Sequence, residues 1–223
     1  MLVSDLVSIK WPQIIQTFRR FQLSGGDTIW GLVPDQDGTF SIGGEITQPT
    51  GSGPRHAAIY DNILVTIHEL SSTVTSQLIP PLGQNSSDLI SNLSIVPEDQ
   101  ATEPGASFAA AEVLIPSPNQ VFNSTLVYAS NRHTGTNNDT RGDSIAVLSL
   151  ASDGTLQIVN QFFTGLHQVR GMQFGGPDDR FLVASGVVGN GGVMVFERVG
   201  QGDQFVQVAN NTDIPNLAGL VWV

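Results

Sequence analysis

The sequence predicts an all-β chain of short antiparallel strands, folded as a single domain over residues 1–223. Three observations carry that prediction. Hydrophobic residues make up 40% of the chain and charged residues only 13%, a balance too apolar for disorder. The 24 glycines and 12 prolines punctuate the chain with turns, and runs rich in Val, Ile, Thr and Ser lie between them. Related segments also recur: Arg55, Ala111 and Arg170 fall at equivalent places, 56 and 59 residues apart.

In chain order, Met1–Leu6, Asp27–Val33 and Thr39–Gln48 read as strands of an incomplete unit that begins at its second strand. Between the first two of these, Trp11, Ile14, Ile15, Phe18 and Phe21 recur at helical spacing. Pro12 stands near the start of that stretch and Gly25-Gly26 after it, which predicts a docked surface helix. A full unit then begins, with strands at Pro54–Tyr60, Ile63–Leu70 and Thr73–Ile79. Residues 80–108, rich in Ser, Asn and Pro, are expected to form a long exposed loop with little regular structure. The next unit runs through Ala110–Pro116, Leu126–Arg132, Ser144–Leu150 and Gly154–Phe163. The last runs through Val169–Phe174, Phe181–Gly186, Gly192–Val199 and Gln204–Ala209, and Leu217–Val223 reads as a lone first strand. Asp37-Gly38, Asp153-Gly154 and Pro177-Asp178-Asp179 are turn signals between neighbouring strands.

Four consecutive antiparallel strands per unit is the grammar of a β-propeller blade. One blade cannot bury both of its faces, so blades stack around a central channel that their first strands line. About four blades are expected, with both chain ends inside a blade, which suits part of a larger ring better than a closed four-bladed one.

Composition excludes several functions. Nine basic residues, one of them a lysine (Lys10), stand against 20 acidic ones, for a net charge of -11. No basic stripe exists to displace counterions from nucleic acid or to hold an anionic membrane. No apolar run reaches the roughly 18 residues of a transmembrane helix. With no cysteine there is no disulfide, thiolate nucleophile or cysteine-based zinc site. His56, His68, His133 and His167 lack metal-ligand spacing, so neither metal nor cofactor is expected.

Arg55, His56, Glu112 and Arg170 all fall at the start of first strands, facing one mouth of the channel. Ionisable groups converging there in a charge-poor protein are costly unless used. Arg55 and Arg170 suit a carboxylate or phosphate, and His56 with Glu112 an acid/base pair. A purely structural arrangement remains open, with Arg55 and His56 on nearby carbonyls and Glu112 paired to Arg170 between blades.

The segments Gly53-Pro54-Arg55-His56, Glu69-Leu70, Ala110-Ala111-Glu112, Ser130-Asn131-Arg132 and Asp143-Ser144-Ile145-Ala146-Val147 together resemble the lactonase seven-bladed β-propeller family. That family includes 6-phosphogluconolactonases and fungal carboxy-cis,cis-muconate cyclases. Thr164-Gly165 through Arg170, and Gly176 to Leu182, continue the likeness, which covers about residues 27–223 and leans toward the cyclase-like branch. The resemblance implies lactone chemistry on a small anionic lactone or dicarboxylate: formation of a muconolactone, or hydrolysis of a sugar lactone. It implies His56, Glu112 and Arg170 as catalytic residues, with Arg55, Glu69 and Arg132 binding substrate. It also implies about seven blades, so the N-terminal half of the ring is not in this sequence. Residues 7–26 interrupt the expected pattern and read as an insertion or an artefact of the gene model. A half-ring exposes two blade faces, and its oligomeric state stays open.

Other motifs are weaker. Arg141-Gly142-Asp143 spells an adhesion tripeptide, but Asp143 is expected to open a strand. Gly186–Gly192 lacks the Lys-Ser/Thr ending of a phosphate loop and reads as a hairpin. Asn-x-Ser/Thr sequons at Asn85, Asn92, Asn123, Asn138 and Asn210 fall in or beside expected loops. With the acidic charge they point to an extracellular, glycosylated parent whose signal peptide lies in the missing half. The rivals to an enzyme are a non-catalytic propeller that binds proteins or glycans through aromatic anchors on a face, and an inactive truncated gene product.

Overall fold

A computed structural model of the chain describes residues 19–22, 26–81, 83–86, 88–136, 139–188, 191–214, 217 and 219–222. Its strands form four antiparallel sheets. The first holds β1 (Arg19–Gln22), β2 (Thr28–Pro34) and β3 (Phe40–Thr47). The second holds β4 (Pro54–Tyr60), β5 (Ile63–His68), β6 (Thr73–Leu78) and β7 (Ser91–Ser94). The third holds β8 (Phe108–Leu114), β9 (Leu126–His133), β10 (Ser144–Leu150) and β11 (Leu156–Phe163). The fourth holds β12 (His167–Gly175), β13 (Phe181–Val188), β14 (Gly192–Val199) and β15 (Gln204–Asn211). Strand order follows chain order within each sheet, as in propeller blades.

Alternation along the strands makes the blades stack. In β9, Val127 and Ala129 pack on the second sheet beside Val65, Ile67 and Val74. Leu126 and Tyr128 point the other way and meet Val169, Phe174, Leu182 and Phe196 of the fourth sheet. One strand thus serves two interfaces because successive side chains take opposite faces. Burying each large aliphatic side chain contributes about 1.5–3 kcal/mol. A smaller cluster of Ile29, Ile46, Leu64 and Ile79 joins the first sheet to the second.

The structure corrects four sequence expectations. Arg19–Gln22 is strand, not the end of a helix, because it completes a ladder in which Phe21 lies opposite Trp30. Pairing with β2 overrides the amphipathic spacing; the rest of the expected helix, and Met1–Leu6, lie outside the described residues. Residues 80–108 are not simply a loop. They supply β7 and a short helix α1 (Glu98–Ala101), and the Ser-Asn-Leu-Ser sequence of β7 is too polar to betray an outer strand. Leu217–Val223 forms no strand at its described residues, which pair with no neighbouring strand. Instead the Trp222 N–H donates to Gln173 Oε1 at 2.7 Å, and the indole stacks on Phe181 with ring centres 6.2 Å apart. Finally, Asn92 and Asn210 lie in the outermost strands β7 and β15 rather than in loops. They are exposed like Asn85 and Asn123, while Asn138 lies outside the described residues.

Candidate active site

All three inner strands carry a β-bulge at the same place. Pro54 lies opposite His68 and His56 opposite Ile67, leaving Arg55 as the extra residue. Ala110 lies opposite Asn131 and Val113 opposite Ala129, so Ala111 and Glu112 share one place. Val169 lies opposite Gly186 and Gly171 opposite Ser185, leaving Arg170 extra. A bulge re-aims side chains that a regular pleat would send into the blade interfaces. Here it turns Arg55, His56, Glu112 and Arg170 toward one end of the inner strands.

Two carboxylates anchor the chain just before these bulges. Asp27 accepts the Gly51 N–H at 2.7 Å and the Gly53 N–H at 3.3 Å. Asp143 accepts the His133 N–H at 3.0 Å and the Val169 N–H at 2.7 Å. Each stands ahead of β2 or β10, the third-strand place of its blade, and grips the start of the next inner strand. Asp143 is 1% exposed, so the Arg-Gly-Asp tripeptide offers no carboxylate to a partner. Burial pushes the Asp143 carboxyl above its usual range, against the two N–H donors.

His56 and Glu112 meet across the blade interface, with Nδ1 to Oε1 at 3.0 Å. Both are partly buried. The Val113 N–H donates to the same Glu112 oxygen at 3.2 Å, and the Glu112 N–H donates to Ser130 Oγ at 3.0 Å. Ser130 Oγ in turn donates to Val169 O at 3.4 Å, tying Glu112 to the strand that carries Arg170. Glu112 therefore pairs with His56, and the alternative ion pair with Arg170 does not form.

Glu69 sits between two arginines. Arg55 Nη1 donates to Oε2 at 3.0 Å within the blade, and Arg132 Nη2 donates to Oε1 from the next blade. Arg55 Nε also donates to Ala111 O at 3.2 Å, and Arg132 Nε to Ala109 O at 2.9 Å. Burial pushes the Glu69 carboxyl upward, but Arg132 and Arg55 outweigh it and hold the group below its usual range. Burial likewise lowers Arg132, Glu69 opposes it, and Arg55 and Arg170 push further down, so both lie within Coulomb range of Arg132. Arg170 itself is exposed and makes no hydrogen bond or ion pair among the described residues. Three guanidiniums thus face two carboxylates here, in a chain of net charge -11. Such a local excess draws small anions.

Sequence reasoning missed Gln168, whose amide touches both Arg132 and His133. Only the identity of its neighbour Arg170 could have pointed to it. No group of three or more His, Asp or Glu among the described residues fits a metal, and no described helix is long and apolar enough to cross a membrane. A separate cleft of about 330 Å³, lined by Phe122, Pro177, Arg180, Phe181 and others, shares no residue with the inner-strand cluster.

Residues 25–222 match the family described as Lactonase, 7-bladed beta-propeller. The chain belongs to this lactonase family. No curated protein sequence matches it. Among solved structures, the lactonase chain is similar to a candidate 6-phosphogluconolactonase from Bacteroides fragilis NCTC 9343, at 19% identity and TM-score 0.70, covering 93% of this chain and 55% of that one. A protein from Lactobacillus plantarum matches at 18% identity and TM-score 0.69, covering 86% and 51%. A candidate 6-phosphogluconolactonase from Bacteroides uniformis ATCC 8492 matches at 21% identity and TM-score 0.64, covering 86% and 50%. At such identities the likeness is one of fold. This lactonase chain spans about half the length of those structures, consistent with a partial seven-bladed ring.

Proposed function

We propose that the inner-strand cluster hydrolyses a lactone that bears a separate anionic group, such as a phosphorylated sugar lactone. The carrying observation is the 3.0 Å contact between His56 Nδ1 and Glu112 Oε1 beside an unpaired Arg170. With Nδ1–H donating to Glu112, the imidazole presents Nε2 as a proton acceptor. His56 takes a proton from water, the resulting hydroxide attacks the ring carbonyl, and His56 returns the proton to the departing alkoxide. Glu112 orients the ring and stabilises the imidazolium. Arg170 holds the substrate's phosphate or carboxylate. Arg55 and Arg132, already shared with Glu69, form a positive wall toward the developing oxyanion. The family, and the candidate 6-phosphogluconolactonases that share the fold, support the hydrolytic direction. The parent protein, in the same reading, is extracellular and glycosylated at the exposed Asn85, Asn92, Asn123 and Asn210.

The test is hydrolysis of 6-phosphogluconolactone above its spontaneous rate, with 6-phosphogluconate detected by a coupled dehydrogenase. His56→Ala should lower kcat by about 10²–10⁴-fold. Arg170→Ala should mainly raise KM, because it removes binding held throughout the reaction. Spontaneous-rate hydrolysis by the parent protein would refute the proposal, and turnover of a carboxymuconate instead would reassign it to cyclase chemistry.

A further inference from the structure

Five described residues other than glycine have positive φ: Asp61, Ser72, Gln168, Asp178 and Asp179. Four are short polar residues outside the strands, where Asp and Ser tolerate the left-handed region. Gln168, at φ 57°, is the exception: it lies inside β12 and has a long side chain. This left-handed step precedes the bulge in both inner strands whose extra residue is an arginine, and is lacking at Ala109 before the bulge of β8. In the second sheet the equivalent residue, two before Arg55, is Gly53 at φ 63°. Glycine adopts the step there without strain. At the equivalent place before Arg170, the chain carries strain that glycine would remove.

The side chain shows what the strain is kept for. Gln168 Nε2 donates to His133 O at 3.0 Å, and Arg132 Nη1 donates to Gln168 Oε1 at 3.5 Å. A continuous chain of contacts results: His133 carbonyl, Gln168, Arg132, Glu69, Arg55, Ala111 carbonyl. It crosses three blades directly beside His56, Glu112 and Arg170. Among the described residues, Gln168 is the side chain by which the fourth sheet, which carries Arg170, reaches the Arg132 guanidinium. Strained backbone persists where surrounding structure and function retain it.

We infer that Gln168 is a positioning residue of the anion site: its amide holds the Arg132 guanidinium on Glu69 and sets the arginine array relative to Arg170. This rests on the reading of the cluster as an anion-binding active site. Two variants separate positioning from mere stability. Gln168→Gly removes both the amide and the strain; Gln168→Met removes the amide and keeps the strain. Calorimetric titration with 6-phosphogluconate should show both variants binding about tenfold more weakly, the loss of a charge-assisted hydrogen bond. In thermal melts, Gln168→Gly should unfold at or above the parent temperature and Gln168→Met at or below it. Parent-like affinity in both variants, or a lower melting temperature for Gln168→Gly, would overturn the inference. If the parent protein binds no 6-phosphogluconate, the hydrolytic reading fails by itself. The Arg132 Nη–H resonances then decide: slow exchange in the parent and fast exchange in Gln168→Gly supports positioning, and identical exchange refutes it.

Discussion

Lowering the pH should weaken the seam between the first and second sheets through one residue, His68. Its side chain is 0% exposed, and Nε2 bonds Thr75 Oγ1 at 2.8 Å. Burial pulls its pKa from 6.5 down to about 4, with the Asp27 carboxylate opposing the shift. The unfolded chain takes up this proton near pH 6.5, whereas the folded chain refuses it until about pH 4. His68 therefore costs nothing above the unfolded pKa, and stability drains away as pH falls between the two values. From pH 7.5 to 4.5 the loss is about 2.5 kcal/mol, close to 1.4 kcal/mol per unit over the titrating span. In a domain of this size that lowers the melting temperature by roughly 5–10 °C. His68→Gln offers Thr75 a partner that does not titrate. Urea unfolding of both proteins across this range should show the parent losing stability relative to the variant as the solution is acidified. A parent-minus-variant difference independent of pH would refute the reasoning.

Two further substitutions probe how the blades are tied together. Asp143→Ala leaves the buried N–H groups of His133 and Val169 without their acceptor, and should cost about 2–4 kcal/mol in urea unfolding. Asp143→Asn, which keeps one acceptor oxygen, should lose less, and equal losses would refute the paired-acceptor account. Gly175→Ala would place a methyl group 2.2 Å from the Trp222 ring. It should expel the indole and shift tryptophan emission to the red while costing under about 1 kcal/mol; an unchanged spectrum would show that the C-terminal segment does not rest there.

Much of this architecture was legible in the chain. Units repeating at intervals of 56 and 59 residues place charged residues at the same point of each inner strand. The near-continuous apolar runs that open Ile63–His68 and Leu126–His133 mark strands buried on both faces. Less legible were the elements that lack their own apolar signal. The polar outer strand Ser91–Ser94 has one apolar residue, and Arg19–Gln22 lies within a helical periodicity that pairing with Thr28–Pro34 overrides. Glu112 shows why the charged residues of the inner strands were easier to read than their partners. It belongs to the middle of three blades, with His56 on one side and Arg170 on the other, so chain position alone favours neither.

By itself, then, the sequence determined the inner three strands of each full unit, the turns between them, the net negative charge and the charged residues that fall at the start of each inner strand. These follow from local periodicity, composition and repeat spacing, which need no knowledge of how blades meet. Tertiary structure decided the rest: the pairing of His56 with Glu112, the sharing of Glu69 by Arg55 and Arg132, the exposure of Arg170 and the left-handed backbone of Gln168. Each of those depends on the offset between adjacent blades and on the bulges in the inner strands. That offset is fixed by the sum of side-chain packing between whole sheets, a quantity no single segment contains.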